Sequence, residues 1–299
     1  MSAPLLLVDA SIYIFRAYFS LPERWHSPDG YPLNAVYGYT SFLVELLEQL
    51  PESVVLVAAF DESLGTCFRN ELYPDYKASR ELPDEALAFQ LEACREVTER
   101  LGIPCLGGER FEADDYIATL SVLGREAGGE VTVVTRDKDL GQLLLAPGDR
   151  LWDFAAGSYL DATGFRERFG VVPAQFADYQ GLVGDAIDDI PGVPSIGAKS
   201  GARLIDAFGD LETLESNRHD LDGLGIRGAA RISQALEEHW DQALLSRALA
   251  RLDCAIPDVE LPAPFEPSRE AFDATRDYLG DIALTGAVVR RLSALQAQL

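Results

Sequence analysis

Nine acidic residues stand where an acid-rich site would need them. Asp9 closes the apolar run Leu5 to Val8, and Asp61 closes the run Val54 to Phe60. Asp137 and Asp139 follow the segment Val131 to Thr135. Glu112, Asp114 and Asp115 open a helix-like segment, and Asp185 and Asp188 precede a glycine-rich turn. Carboxylates repel one another, so gathering them requires a compensating cation. Oxygen-only ligands suit a hard divalent ion, Mg²⁺ or Mn²⁺. The chemistry this points to is metal-dependent reaction at phosphate.

Each group also has a plainer reading. One Asp after a strand is commonly a turn residue or helix cap, but three on one sheet edge are harder to explain that way. Asp137 and Asp139, two apart, fit a ligand pair on one side of an extended loop, with Lys138 pointing the other way as an anchor. Acids in the first turn of a helix complement its dipole, yet Glu112 and Asp115 are three apart and share a face. Asp185 and Asp188 repeat that spacing. Alone they would be solvated loop acids; beside a phosphate-holding turn they form a second metal position.

Cations are sparse and placed with these acids. The net charge is −24, and lysine occurs three times, as Lys77, Lys138 and Lys199, among 25 basic residues. Residues 62–84 form a polar stretch with two prolines that carries Arg69, Lys77 and Arg80. It reads as a loop or short arch over a site. Lys77 and Arg80 are placed to stabilise a scissile phosphate. Arg69 and Arg16 are candidates to steer the phosphate, and Tyr76 is a candidate to stack on a base. From Gly192 to Leu204 a turn with glycine on both sides leads into a helix, which can hold phosphate on backbone N–H groups. Gly192, Gly197 and Lys199 are its candidate contacts. A similar piece runs from Leu224 to Ala230. His26, His219 and His239 are isolated and take no role. No Walker loop, dinucleotide fingerprint or nucleophile elbow occurs.

The elements that must position these residues follow from pattern. Strand-like runs at 5–9, 54–60, 131–135 and 150–154 are apolar throughout, which indicates a sheet covered on both faces. Helix-like segments at 34–50, 85–101 and 112–127 alternate with them, which argues for a parallel sheet. Ligands bind beyond the carboxyl ends of such strands, where Asp9, Asp61 and Asp137 lie. From about 162 the chain reads as helical, with an extended crossover at 257–267 and one final helix at 268–298 that packs back. The expected division is a metal-binding core at 1–160 and a helical region at 161–299.

Composition bounds the setting. At 299 residues and 47% hydrophobic content the chain can bury a sizeable core. It has no apolar run of about 18 residues, so no membrane span is expected. A basic leader is absent and the four cysteines lack metal or disulfide spacing, so a reduced, cytoplasmic protein is expected. The acidic balance opposes nucleic-acid binding unless repulsion is confined to other faces, as a salt-tolerant host would allow.

Taken in order, these segments resemble the bacterial 5′–3′ exonuclease and flap endonuclease family, most nearly the 5′ nuclease domain of DNA polymerase I. The likeness runs from Leu6-Leu7-Val8-Asp9-Ala10-Ser11 with Arg16, through Phe60-Asp61, Phe68-Arg69-Asn70-Glu71 and Tyr76-Lys77-Ala78-Ser79-Arg80. It continues through Glu112 to Asp115, Asp137-Lys138-Asp139, Gly184 to Asp188, and Ile190 to Lys199. The resemblance implies a PIN-like, three-layer α/β/α core with a mostly parallel central sheet and a helical arch at about 62–84. It also implies a helix–three-turn–helix at about 185–207 that grips duplex DNA and often binds K⁺. Asp189 stands where the family usually has Asn, adding a charge beside the second metal position, and the chain stops where a polymerase would begin, which implies a stand-alone nuclease; a monomer is expected.

The expected activity is two-metal hydrolysis of branched, nicked or 5′-flapped DNA, with two ions about 4 Å apart and a polymerase acting in trans. Asp9, Asp61, Glu112, Asp114, Asp115, Asp137 and Asp139 would form a main cluster, with Asp185 and Asp188 as an outpost. The alternatives are a metal-dependent ribonuclease on the same fold and a non-catalytic junction-binding protein.

Overall fold

The computed structural model describes residues 3–63, 65–219 and 221–299; Leu64, within the expected arch, lies outside them. The first half of the chain runs β1 (Leu5–Asp9), α1 (Ala10–Ser20), α2 (Asn34–Leu47), β2 (Val55–Ala59), α3 (Phe68–Leu72), α4 (Glu85–Arg100), β3 (Cys105–Leu106), α5 (Ala113–Glu126), β4 (Val131–Val134), β5 (Arg150–Asp153) and β6 (Ser158–Leu160). The second half is helical: α6 (Ala162–Phe169), α7 (Phe176–Val183), α8 (Ala198–Phe208), α9 (Leu211–Asn217), α10 (Ala229–Glu238), α11 (Trp240–Ala250), α12 (Arg269–Asp281) and α13 (Ala287–Gln296). Packing divides the chain into two compact units. One holds residues 1–62, 82–135 and 254–299; the other holds 63–81 and 136–253.

The first unit is built on strands in the order β3-β2-β1-β4, every pair parallel. All five residues of β1 and of β2 are buried, so both faces of this sheet are covered, as the unbroken apolar runs predict. Asp9 pairs in register with Ala59, and Val8 with Val134. The carboxyl ends of these strands therefore form one edge, with Asp9 on it and Asp61 two residues past β2. Helix α5 lies close on β1 because position 124 is glycine. A Cβ there would fall 2.3 Å from the Leu5 side chain, so any larger residue would push the helix off the strand.

The carboxyl-terminal segment packs against this unit. Phe265 N donates to Val54 O at 2.8 Å, which lays the extended crossover beside the start of β2. The single helix expected at 268–298 is instead two, α12 and α13. Leu284 N donates to Leu279 O and Ala283 N to Gly280 O, closing the first helix. Ala283 and Gly286 then take positive φ of 59° and 103°, which no helix can continue through.

The second unit contains the antiparallel pair β5–β6 and helices α3 and α6–α11. Helix α7 packs against α11 and α8. Arg247 of α11 bonds Asp178 of α7 at 2.9 Å and also pairs with Glu212, which fixes the helices side by side. Among the described residues no helix is long and apolar enough to cross a membrane. The fold is of the expected class, α/β with a mostly parallel sheet and a helical carboxyl-terminal half.

Candidate functional site

The nine acids divide between the units five and four. Asp9, Asp61, Glu112, Asp114 and Asp115 lie in the first, and Asp137, Asp139, Asp185 and Asp188 in the second. The expected grouping of seven and two is not how the packing separates them.

In the first unit Asp9 is 5% exposed at the end of β1. Thr135, just past the end of β4, donates its hydroxyl to Asp9 Oδ2 at 2.8 Å. Ser11, in the first turn of α1, accepts from Asp61 N at 3.0 Å, which fixes the chain where it leaves β2. Glu112 and Asp115 sit at the start of α5, 6% and 0% exposed. Glu112 N donates to Asp115 Oδ2 at 3.1 Å, a capping contact. The plainer capping reading is therefore correct as local structure. Burial of both acids goes beyond it, because capping alone works at a solvated surface.

In the second unit the backbone around Asp185 is set by glycine. Asp185 N donates to Ile190 O at 2.9 Å, and Ile190 N returns the bond at 2.8 Å. This folds Gly192 back against Gly184, so that a Cβ at Gly192 would fall 2.4 Å from Gly184 N; its φ is +60°. The narrow loop presents Asp185 and Asp188, 8% and 9% exposed. Lys138 bonds Asp185 and lies 4.0 Å from Asp139 Oδ1. The expectation that Lys138 points away from these acids is thus corrected: its ammonium is drawn toward the negative charge. Although burial alone would lower it, the Lys138 pKa is held above its ordinary range by Asp139, Asp185 and Asp137.

Asp139 carries the strain of this gathering. Burial first, then the charge of Asp137, pushes its carboxyl up to about 7; Lys138 opposes this, while Asp188 and Asp185 add to it. Asp139 N also donates to Asp137 Oδ1 at 2.9 Å.

The cations of the 62–84 stretch part company. Arg80 bonds Asp188 at 2.5 Å, and Lys77 Nζ lies 3.8 Å from the same carboxylate. Lys77 takes a φ of 54°, and its N–H donates to Asp188 O at 3.1 Å. Ser79 N donates to Asp189 Oδ2 at 2.9 Å. That bond holds the half-buried Asp189 carboxyl below its usual range.

Arg69 departs from the expected steering role. It is 2% exposed, with Nε and Nη2 donating to the carbonyls of Leu249 and Arg251 at 2.8 and 2.9 Å. Tyr76 departs as well: it packs in a buried cluster with Cys67, Ile190, Leu249 and Ala250, so its ring is not offered for stacking. Gly192 is buried, and its N–H donates to Ser246 Oγ at 3.0 Å, so it serves packing rather than phosphate. Arg16, Gly197 and Lys199 are exposed, as contacts must be.

The donor set suits a hard divalent ion. It is all oxygen, most of it is buried, and positive charge is already drawn to Asp185, Asp188 and Asp139. Among the described residues no three His, Cys, Asp or Glu side chains are drawn into one cage. Sequence reasoning gave no role to Ser11, Thr135 or Gln180. The hydroxyls could have been noticed from their places, two residues after Asp9 and at the end of a strand.

Comparison with known proteins places the chain. Residues 4–170 match the family described as 5′-3′ exonuclease, N-terminal resolvase-like domain, and residues 171–270 match 5′-3′ exonuclease, C-terminal SAM fold. The 5′-3′ exonuclease of Buchnera aphidicola subsp. Acyrthosiphon pisum is 31% identical over 86% of this chain and 90% of its own. DNA polymerase I of Pseudomonas aeruginosa is 40% identical over 91% of this chain, and that of Rhizobium leguminosarum 37% over 87%. The chain spans 30% and 25% of those two polymerases. Among solved structures, T5 5′-exonuclease with bound zinc aligns at a TM-score of 0.62 and 21% identity, over 99% of this chain and 98% of that one. The catalytic core of Rad2 in complex with DNA substrate aligns at 0.63 and 18%, over 100% and 92%. These two likenesses show the fold. With both family regions matched in order and a relative of similar length matched nearly end to end, the chain belongs to the 5′-3′ exonuclease family.

Proposed function

We propose that the protein hydrolyses phosphodiester bonds at the 5′ side of nicked, branched or flapped DNA, with Mg²⁺ or Mn²⁺ as cofactor. The observation that carries this reading is the burial of five acids: Asp9, Glu112, Asp115, Asp185 and Asp188 are each less than 10% exposed. Buried carboxylates are costly unless a cation or hydrogen bonds compensate them. Divalent ions bound there would lower the pKa of water and stabilise charge on phosphate oxygens.

The candidate oxygen ligands are Asp9, Asp61, Glu112, Asp114, Asp115, Asp137, Asp139, Asp185 and Asp188. Thr135 orients the Asp9 carboxylate through its hydroxyl. Lys77 and Arg80 are the residues for the phosphate. They are paired here with Asp188, and an anionic substrate competes with that carboxylate for them. Arg16, Gly197 and Lys199 hold the strand, and K⁺ at the Gly192–Gly197 turn is part of the same reading. Each phosphate that a protein cation neutralises releases a bound counterion, so binding weakens as salt rises. The protein acts as a monomer in the cytoplasm, with a polymerase filling the gap in trans.

The test is a 5′-labelled flap DNA and its RNA counterpart, each incubated with Mg²⁺ and with EDTA. Release of short labelled DNA in Mg²⁺ alone is the expected result. RNA-only cleavage would replace this reading with a ribonuclease, and binding without cleavage would replace it with a junction-binding protein.

A further inference from the structure

The geometry points to Gln180 as a positioning residue that aims the Asp139 carboxylate at its cation. The inference rests on the reading of Asp139 as a metal ligand. Gln180 lies on α7 and is 2% exposed. Its Nε2 donates to Asp139 Oδ1 at 2.9 Å, while its Oε1 is buried and meets no hydrogen-bond donor among the described residues. A buried amide that leaves its own oxygen unsatisfied is a poor choice for packing alone. An apolar side chain of that size would fill the same space without the loss. The arrangement makes sense if the other end of the amide is required.

What it does there follows from how each partner is held. Helix α7 is rigidly placed, since Arg247 of α11 bonds its Asp178 at 2.9 Å. The backbone of Asp139 is held as well. Gln142 Nε2 donates to Asp139 O at 3.1 Å and to Ala250 O at 3.0 Å. The remaining freedom of Asp139 is rotation of its carboxylate. An ionised carboxylate accepts only, so the Gln180 N–H fixes that rotation. Lys138 approaches the same oxygen, Oδ1, at 4.0 Å. Oδ2 is then the oxygen left to meet the cation. Partners of this kind, behind the ligands themselves, commonly govern metal affinity.

The experiment measures Mn²⁺ binding to the full chain by electron paramagnetic resonance, for wild type, Gln180→Leu, Gln180→Glu and Asp139→Asn. Thermal melts in EDTA accompany each. Gln180→Leu should weaken the Mn²⁺ site by about 10- to 100-fold while its melting temperature is unchanged or higher, because the orphan oxygen is gone. Gln180→Glu, which sets a like charge against Asp139 in the metal-free chain, should weaken it further or destabilise the apo chain. If Gln180→Leu binds Mn²⁺ within twofold of wild type, the inference is overturned. If Gln180→Leu melts lower and does not fold, Gln180→Met provides the same comparison. Should Asp139→Asn also bind like wild type, the failure lies in the ligand reading of Asp139 rather than in Gln180.

Discussion

Asp139 and Arg69 show how far one residue's surroundings alter what its type suggests. The Asp139 carboxyl has an ordinary value of 3.8 and is pushed up to about 7. A value raised in the folded state contributes stability below the unfolded value and loses it as pH rises through the folded one. Metal-free protein should therefore lose stability between about pH 4 and pH 7, and Asp139→Asn should remove part of that loss. Melts in EDTA at pH 5 and pH 8 check this: the difference should shrink in the variant, and an unchanged difference would count against it. Arg69→Ala should destabilise by about 3 kcal/mol, since two buried carbonyls lose a charged donor. Denaturant unfolding is the check, and an effect on DNA binding with stability intact would contradict the packing role. Read from sequence, both Arg69 and Arg80 work on phosphate, Arg80 stabilising it and Arg69 steering it, because both are cations in one polar stretch. What separates them is a pair of carbonyls at the end of α11, some 180 residues along the chain, and no local pattern reports that.

At the scale of elements, position is set by strands and by glycines. The apolar runs made β1, β2 and β4 legible, and their ends located Asp9 and Asp61 correctly. The short strand β3 carried no such run and was not expected. The break between α12 and α13 was hidden because an Ala, not a Gly, takes the left-handed conformation at 283. Gly192 read as a phosphate contact, since a glycine turn before a helix looks alike whether its N–H groups face solvent or a neighbouring helix. Gly192→Ala tests the packing role. The positive φ costs about 1–2 kcal/mol, and the clash with Gly184 adds to it. The variant should lower the apparent melting temperature and weaken divalent-ion binding together, because the same loop carries Asp185. A variant as stable as wild type would show that the backbone there is not constrained.

The whole molecule carries a net charge of −24, and this was fully legible in composition. Self-repulsion on that scale opposes the compact state and is screened by salt. Metal-free protein should melt higher in 1 M NaCl than in 0.1 M, a trend that a melting series in EDTA measures. A flat or falling series would mean the acids are already neutralised within the fold. The central claim is that the buried acids serve metal-dependent cleavage of DNA, and Asp115, 0% exposed at the start of α5, tests it most directly. The measurement is single-turnover cleavage of a 5′-labelled flap in Mg²⁺ by wild type and by Asp115→Asn, with binding of the same DNA measured in parallel. The account expects cleavage to fall by about a hundredfold or more, as for loss of a charge-stabilising group, with binding nearly retained. Cleavage by Asp115→Asn at the wild-type rate would contradict it.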